Sequence, residues 1–242
     1  MLKIRLIPVL NYNGFALVKT KCFGENPRMI GNPIQSARVF NSRKVDELVF
    51  TDIFATRQKR KLNLMLVEKV INECFMPVSI GGNISTLNDI NDLLKIGADK
   101  VIINSKAFSK NFLADASNQF GESTIILSVD ILTENNKRYI LIEKKKYPLA
   151  NYIGSIKNLN YGELFLTSVN NEGTQLGFDI ELFKYFYKNV DKPIIFNGGA
   201  GNLTHFNDLF SKTSIEAVAS SSIFFFTQHN PYDIKMEIKK IR

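Results

Sequence analysis

Short apolar runs rich in β-branched residues alternate along this chain with windows whose apolar residues recur every three or four positions. The runs are IRLIPVL (4–10), ELVFTD (47–52), MPVSI (76–80), KVIIN (100–104), TIILSVD (124–130), ELFLTS (163–168), PIIFN (193–197) and EAVASS (216–221). Most are apolar throughout, the pattern of strands buried on both faces of a parallel sheet. The windows between them predict helices. Leu64, Val67, Val70, Ile71 and Cys74 fall on one face, and Leu87, Ile90, Leu93 and Leu94 on another. Ser85 or Thr86 suits the start of the second helix and Gly97 its end. Eight strands separated by helices in 242 residues predict an α/β fold, a (β/α)8 TIM barrel. Without a linker or low-complexity tract, the expectation is one domain over 1–242. The segment NKRYILIEKKKY (136–147) breaks the rhythm and predicts a short hairpin after the fifth strand.

The chain also repeats itself. DELVFTD (46–52) matches GELFLTS (162–168) at an offset of 116 residues, and SIGGNI (79–84) matches FNGGAG (196–201) at 117. VIINSKAF (101–108) and VASSSIFF (218–225) match at 117 as well. Two half-barrels of four βα units follow from this periodicity. Asn11 and Asp130 lie 119 residues apart, so they are equivalent positions at the ends of strands one and five.

Composition narrows the function. The net charge is +8, from 31 basic and 23 acidic side chains. The basic residues are scattered, and their densest runs, QKRK (58–61) and EKKKY (143–147), fall where solvated loops are expected. A positive field of this kind suits an anionic small molecule better than nucleic acid. No apolar run approaches the ~18 residues of a membrane span. The opening MLKIRLIPVL turns polar too soon for a signal peptide, so a cytoplasmic location is the expectation. Cys22 and Cys74 read as free thiols. With His205 and His229 the only histidines, neither a metal site nor a cofactor is expected.

Barrel enzymes carry their chemistry at the C-terminal ends of the strands. There a Gly-Gly pair follows the third strand of each half, and a small polar pair follows the fourth. These are Gly81, Gly82 with Asn104, Ser105, and Gly198, Gly199 with Ser221, Ser222. Glycine admits close backbone approach, and free amides with hydroxyls donate to phosphate oxygens. Two phosphate corners facing across one mouth are therefore expected, bridged by an elongated bisphosphorylated substrate, with Gly173 a further candidate at the second. Tight turns alone would also use these glycines. Asp130 is the candidate general acid or base, since an unpaired buried carboxylate is otherwise costly. Asn11 can only exchange hydrogen bonds. Lys19, on the long first loop, either contacts a phosphate, closes over the substrate or is a solvated lysine. At the opposite face Arg5, Glu47, Lys100 and Glu163 stand near strand starts, either solvated or joined in a ring of ion pairs.

Taken together, DELVFTDI (46–53), GGNI (81–84), GADKVIIN (97–104), SVD (128–130), GELFLTS (162–168), EGT (172–174), GFD (177–179) and GGAG (198–201) resemble the cyclase subunit family of imidazole glycerol phosphate synthase. The resemblance spans both halves. It implies a partner glutaminase docked on the barrel bottom, whose ammonia passes along the barrel to a bisphosphorylated nucleotide intermediate of histidine synthesis. It further implies that Arg5, Glu47, Lys100 and Glu163 form the gate to that passage, and that Asp99 lies near the docking surface. In that family two aspartates, at the ends of strands one and five, perform acid–base work. Here the first is Asn11. Asn83 replaces a third glycine, and Asn171 and Glu172 stand where Arg and Asp are usual, while Lys19 is kept. Loss of one acid–base group typically costs ~10²–10⁴-fold in rate. The pattern resembles the divergent branch that accompanies amidotransferases of surface-polysaccharide synthesis, where ammonia converts an acetamido sugar to an acetamidino sugar. There the amidating site lies either on the barrel or on a third protein. A working histidine cyclase, a non-catalytic ammonia conduit and the related single-chain isomerase remain the alternatives.

Overall fold

The computed structural model describes residues 4–109, 111–143 and 145–241. Met1, Leu2 and Lys3 of the opening run, and Lys144 of the second basic run, lie outside them. Strand β1 (Arg5–Tyr12) is followed by the small strands β2 (Leu17–Lys19) and β3 (Arg28–Gly31) and by helix α1 (Pro33–Ser42). Next come β4 (Leu48–Asp52) with α2 (Leu64–Ile71), β5 (Val78–Gly81) with α3 (Leu87–Lys95), and β6 (Lys100–Ile103) with α4 (Phe112–Phe120). Strand β7 (Ile125–Glu134) precedes β8 (Lys137–Ile142), β9 (Lys145–Pro148) and α5 (Ile153–Asn158). The last units are β10 (Glu163–Ser168) with α6 (Ile180–Asn189), β11 (Ile194–Asn197) with α7 (Leu203–Lys212), and β12 (Ala217–Ser220) with α8 (Ser222–Phe226) and α9 (Pro231–Ile241).

Eight strands pair in the order β10-β11-β12-β1-β4-β5-β6-β7, and β10 pairs with β7 to close the ring. Each of these pairings is parallel. This is the (β/α)8 barrel that the sequence pattern predicts. Successive side chains of a strand point to opposite faces. In β1, Ile7 and Val9 point to the barrel axis, where they meet Val49, Ile102, Ile126, Phe165 and Ile195. Leu6 and Leu10 of the same strand join the larger core under the helices. Both faces are therefore dry, which is why the strands read as continuous apolar runs.

Local signals account for most helix ends. Thr86 Oγ1 accepts from the Asp89 N–H at 3.1 Å, and the Asp89 carboxylate accepts from the Thr86 N–H at 2.9 Å. This capping box starts α3, and Gly97 at φ +99° turns the chain away after it. In α2 the expected apolar face is shorter than its sequence pattern. Val67 and Val70 are buried, but Leu64 stands at the exposed first turn, and Cys74 lies beyond the helix end at Asn72. The insertion after the fifth strand is larger than a hairpin. Strand β7 continues past the barrel to Glu134 and pairs antiparallel with β8, which pairs with β9. Asn135 and Asn136, at φ +48° and +59°, supply the two left-handed residues that such a tight turn requires. Arg138 of this insertion lies 4.7 Å over the ring of Tyr185 in α6. Among the described residues, no helix is long and apolar enough to cross a membrane.

Candidate active site at the barrel mouth

Asn11 and Asp130 sit on β1 and β7, which are four places apart in the closed eight-strand order, so they face each other across the mouth. Asp130 is not the unpaired carboxylate that its position suggests. Asn104 Nδ2 donates to it at 3.0 Å, and the Thr167 hydroxyl bonds it too. Thr167 in turn accepts from Asn197 Nδ2 at 3.3 Å. A polar chain thus runs across β6, β7, β10 and β11. Burial pushes the Asp130 carboxyl up to about 6, against the bonds from Asn104 and Thr167 that favour its charged form, and the Glu172 charge adds to the rise. A group so poised can give or take a proton near neutrality.

The glycines repeat in space one residue out of step with the sequence match: β5 ends on Gly81 and β11 on Asn197, so Gly82 corresponds to Gly198, an offset of 116 and not 117. A Cβ on Gly82 would lie 2.8 Å from the Asp52 carbonyl oxygen, and one on Gly198 2.8 Å from that of Ser168. Gly82 and Gly198 also have φ of +126° and +111°. Gly199, at φ +104°, packs so closely that a Cβ would sit 1.9 Å from the Gly177 oxygen. Gly81 is the last residue of β5. Asn83 turns its amide to the Arg60 carbonyl at 2.9 Å. The small polar pairs follow the glycines around the rim, with Asn104 and Ser105 after β6 and Ser221 and Ser222 after β12.

Lys19 is not a solvated lysine: it ends β2 and is buried. It is 4% exposed and its Nζ lies 2.6 Å from Glu172 Oε1, which is 5% exposed. The first loop is therefore docked on the loop after β10. The Cys22 N–H donates to the Glu172 carbonyl at 2.8 Å, and the Cys22 thiol bonds the Asn170 carbonyl at 3.2 Å. Gly173 belongs to this seam, because a Cβ there would lie 2.1 Å from the Thr20 oxygen. In the basic run 58–61, Gln58, Lys59 and Lys61 are exposed as a solvated loop requires, and Arg60 departs from it. Arg60 grips the buried Asp52 with both guanidinium nitrogens, while Asp52 also accepts from the Phe54 and Ala55 N–H groups. Glu172, Thr167 and Asp52 are thus additions to the site. Asp52 could have been suspected, since it ends its strand where Ser168 ends the matching one.

At the other end of the barrel the charged residues close into a ring. Arg5 donates to Glu47 at 2.6 Å and to Glu163; Lys100 lies 2.5 Å from Glu163 and 4.0 Å from Glu47. Burial would raise the Glu163 carboxyl, but Arg5 and Lys100 outweigh it and hold the group below the usual carboxylate range. Both carboxylates are buried, so the solvated alternative does not apply. Asp99 is exposed at the same end and accepts from the Val78 N–H at 2.8 Å. Cys22 and Cys74 are both unpaired thiols, and burial pushes the Cys74 thiol up to about 12. Among the described residues, no group of three or more His, Cys, Asp or Glu is placed to hold a metal ion.

A closed parallel barrel of two like halves, with its polar groups gathered at the strand ends, is the architecture of barrel enzymes. The family described as "Histidine biosynthesis protein" matches residues 5–230. A Campylobacter jejuni protein named "Putative imidazole glycerol phosphate synthase subunit hisF2" is 37% identical over 99% of this chain and 97% of its own length. A Pseudomonas aeruginosa protein of the same name is 35% identical over 93% of this chain and 92% of its own. "Imidazole glycerol phosphate synthase subunit HisF" of Streptococcus mutans is 33% identical over 99% of this chain and 98% of its own. The chain belongs to the histidine-biosynthesis family and, within it, to the cyclase subunits of imidazole glycerol phosphate synthase type.

Proposed function

We propose that this barrel receives ammonia from a partner glutaminase seated on its N-terminal face and supports amidation of a surface-polysaccharide sugar. The observation that carries this is the complete ring of Arg5, Glu47, Lys100 and Glu163 at one end of a barrel whose other end has Asn11 opposite Asp130. Groups that would gate ammonia are kept, while half of an acid–base pair is not. An amide cannot relay a proton at neutral pH, so ring closure of the histidine intermediate is the step that suffers. In this reading Asp130 is the acid or base, oriented by Asn104 and Thr167, and Asn11 holds substrate by hydrogen bonds. The glycine corners with Asn104, Ser105, Ser221 and Ser222 face the phosphorylated end or ends of the substrate. Lys19 acts through the docked first loop. Asp99 and the ring face the glutaminase. Whether the amidating site lies in this barrel or on a third protein, the ammonia passes along this axis.

The second reading is a genuine histidine cyclase. It is favoured by the retained Asp130 and by the Streptococcus mutans relative named as a synthase subunit. One experiment separates the two. The bisphosphate intermediate is supplied with excess ammonium at high pH, and imidazole product is followed for the native chain and for Asn11→Asp. No turnover by the native chain, with glutaminase binding and stimulated glutamine hydrolysis, is the expected result. Turnover comparable in both proteins would overturn the amidation reading, and failure to bind any glutaminase would overturn both. A mere conduit would leave pathway output unchanged in Asp130→Asn.

A further inference from the structure

One contact occurs twice in this barrel, 116 residues apart, with a different side chain each time. Helices α3 and α7 begin at Leu87 and Leu203, capped by Thr86 and Asn202. Thr86 Oγ1 accepts from the Asp89 N–H, and Asn202 Oδ1 from the His205 N–H, both at 3.1 Å. In each half the third residue of the helix then reaches back to the end of the glycine turn. Asp89 Oδ2 accepts from the Ser85 N–H at 3.0 Å, and His205 Nδ1 from the Gly201 N–H at 3.2 Å. The imidazole ring also lies against Gly177, where a Cβ would come within 3.6 Å of it. The Gly177 N–H donates to the Gly199 carbonyl at 2.8 Å. His205 thus fastens the 198–201 turn and backs the loop packed on it.

The two acceptors differ in what a proton does to them. Burial would raise the Asp89 carboxyl, but Lys61 and the bonds from Ser85 and Thr86 outweigh it and hold the group down at about 2. An imidazole nitrogen accepts only while it carries no proton, and histidine is the side chain whose ordinary charge change falls between about pH 5 and 8. Asn202 Nδ2 stands 3.3 Å from Nε2, so a ring protonated on both nitrogens would face an N–H donor at each. The turn 198–201 and the loop 175–177 bring no charged side chain to the ring. Asp208, one turn on, is paired with Lys212 at 2.8 Å. From α9, packed on α7, Asp233 accepts from the Asn230 N–H at 2.8 Å, and Glu237 bonds Asn207 at 3.0 Å and Lys240 at 2.6 Å. His229 shares a cleft with Leu203, and Asp179 caps α6.

We propose that His205 is the positioning residue of the second-half turn, and that a proton on its Nδ1 slackens that side of the mouth while the carboxylate-held first-half side stays set. Acid then loosens one end of a bound ligand and not the other. This consequence for a ligand rests on the mouth being the substrate site, as proposed above; the behaviour of the turn itself does not.

The test is amide hydrogen exchange of the full chain, read by NMR at Gly201 and Ser85 from about pH 8 down to about pH 5.5 and scaled for the intrinsic rate. One hydrogen bond is worth about two- to tenfold in protection. In the parent, Gly201 should lose that factor as the pH falls, and Ser85 should not. His205→Asp, which repeats the Asp89 contact, should keep Gly201 protected throughout. His205→Ala should leave it unprotected at both ends of the range, and if that variant does not fold, the parent and His205→Asp decide alone. Groups that titrate elsewhere, Asp130 among them, are common to all three proteins. Equal protection of Gly201 at the two ends of the range in the parent would overturn the inference, as would a pH response that His205→Asp retains. Because exchange needs no substrate, such a failure would leave the proposed function standing.

Discussion

Replacing Lys19 by methionine would leave the Glu172 carboxylate inside the protein without its counter-charge. The two side chains are 3% and 7% exposed, with 2.6 Å between nitrogen and oxygen, so water can do little to screen either. Removing one partner of such a pair typically costs about 3–5 kcal/mol. In a chain of this size about 1 kcal/mol moves the melting temperature by about 2–4 °C, so a fall of about 6–20 °C is expected. The pair fastens a loop, however, and the chain can escape part of the penalty by releasing residues 13–27 to solvent. That release would cap the global loss and appear as faster proteolysis of the first loop, where Phe15 and Phe23 are already exposed. Urea melts of the parent, Lys19→Met, Glu172→Gln and the double variant give the coupling directly. The double variant should recover more than half of the single loss, because it buries no lone charge. Additivity to within about 0.5 kcal/mol would show that the pair does not hold the loop in solution, and the docked-lid account would fail.

Three other outcomes follow from the same geometry. The Asp130 carboxyl is held at about 6 in the fold against 3.8 when free, so between those values the folded chain keeps a proton that the unfolded chain has lost. Stability is therefore given up as pH rises from about 4 to 6, and Asp130→Asn should be more stable than the parent by up to about 3 kcal/mol at pH 7.5 but not at pH 4, checked by urea melts at both. Gly199→Ala should lose more than the about 1–2 kcal/mol that a left-handed backbone costs a non-glycine residue, since its Cβ also meets the Gly177 oxygen; a melting temperature equal to the parent's would contradict the close approach. Glu163→Gln should weaken glutaminase-dependent output while ammonium-dependent output is retained, and equal losses in both assays would remove the ring from the path of ammonia.

Much of this was legible in the chain because parallel strands wrapped by helices must be apolar on both faces. Each of the eight barrel strands lies within two residues or so of its apolar run, apart from the outward extension of β7 to Glu134. The half-barrel repeat also survives into geometry, as the matched contacts of Gly82 and Gly198 show. What the sequence hid is the pairing of charges by loops. Lys19 and Glu172 are 153 residues apart, and nothing local marks either as buried until the first loop folds over. Arg60 looked like one member of a solvated basic run because its partner, Asp52, is buried by the turn between them. Asp130 looked unpaired because its partners Asn104 and Thr167 come from the strands on either side, and a one-dimensional pattern does not rank polar neighbours across a sheet.

The ring at the barrel floor is divided unevenly between the halves. Arg5, Glu47 and Lys100 come from the first and only Glu163 from the second, yet Glu163 bonds both cations. A first half folded alone would end in two positive groups and one negative, with Arg5 and Lys100 competing for a single carboxylate. The second half brings the missing negative charge when β10 closes against β7. Closure of the cylinder and neutralisation of its floor are thus one event. A nascent or split chain would carry a positively charged, open seam until both halves have met.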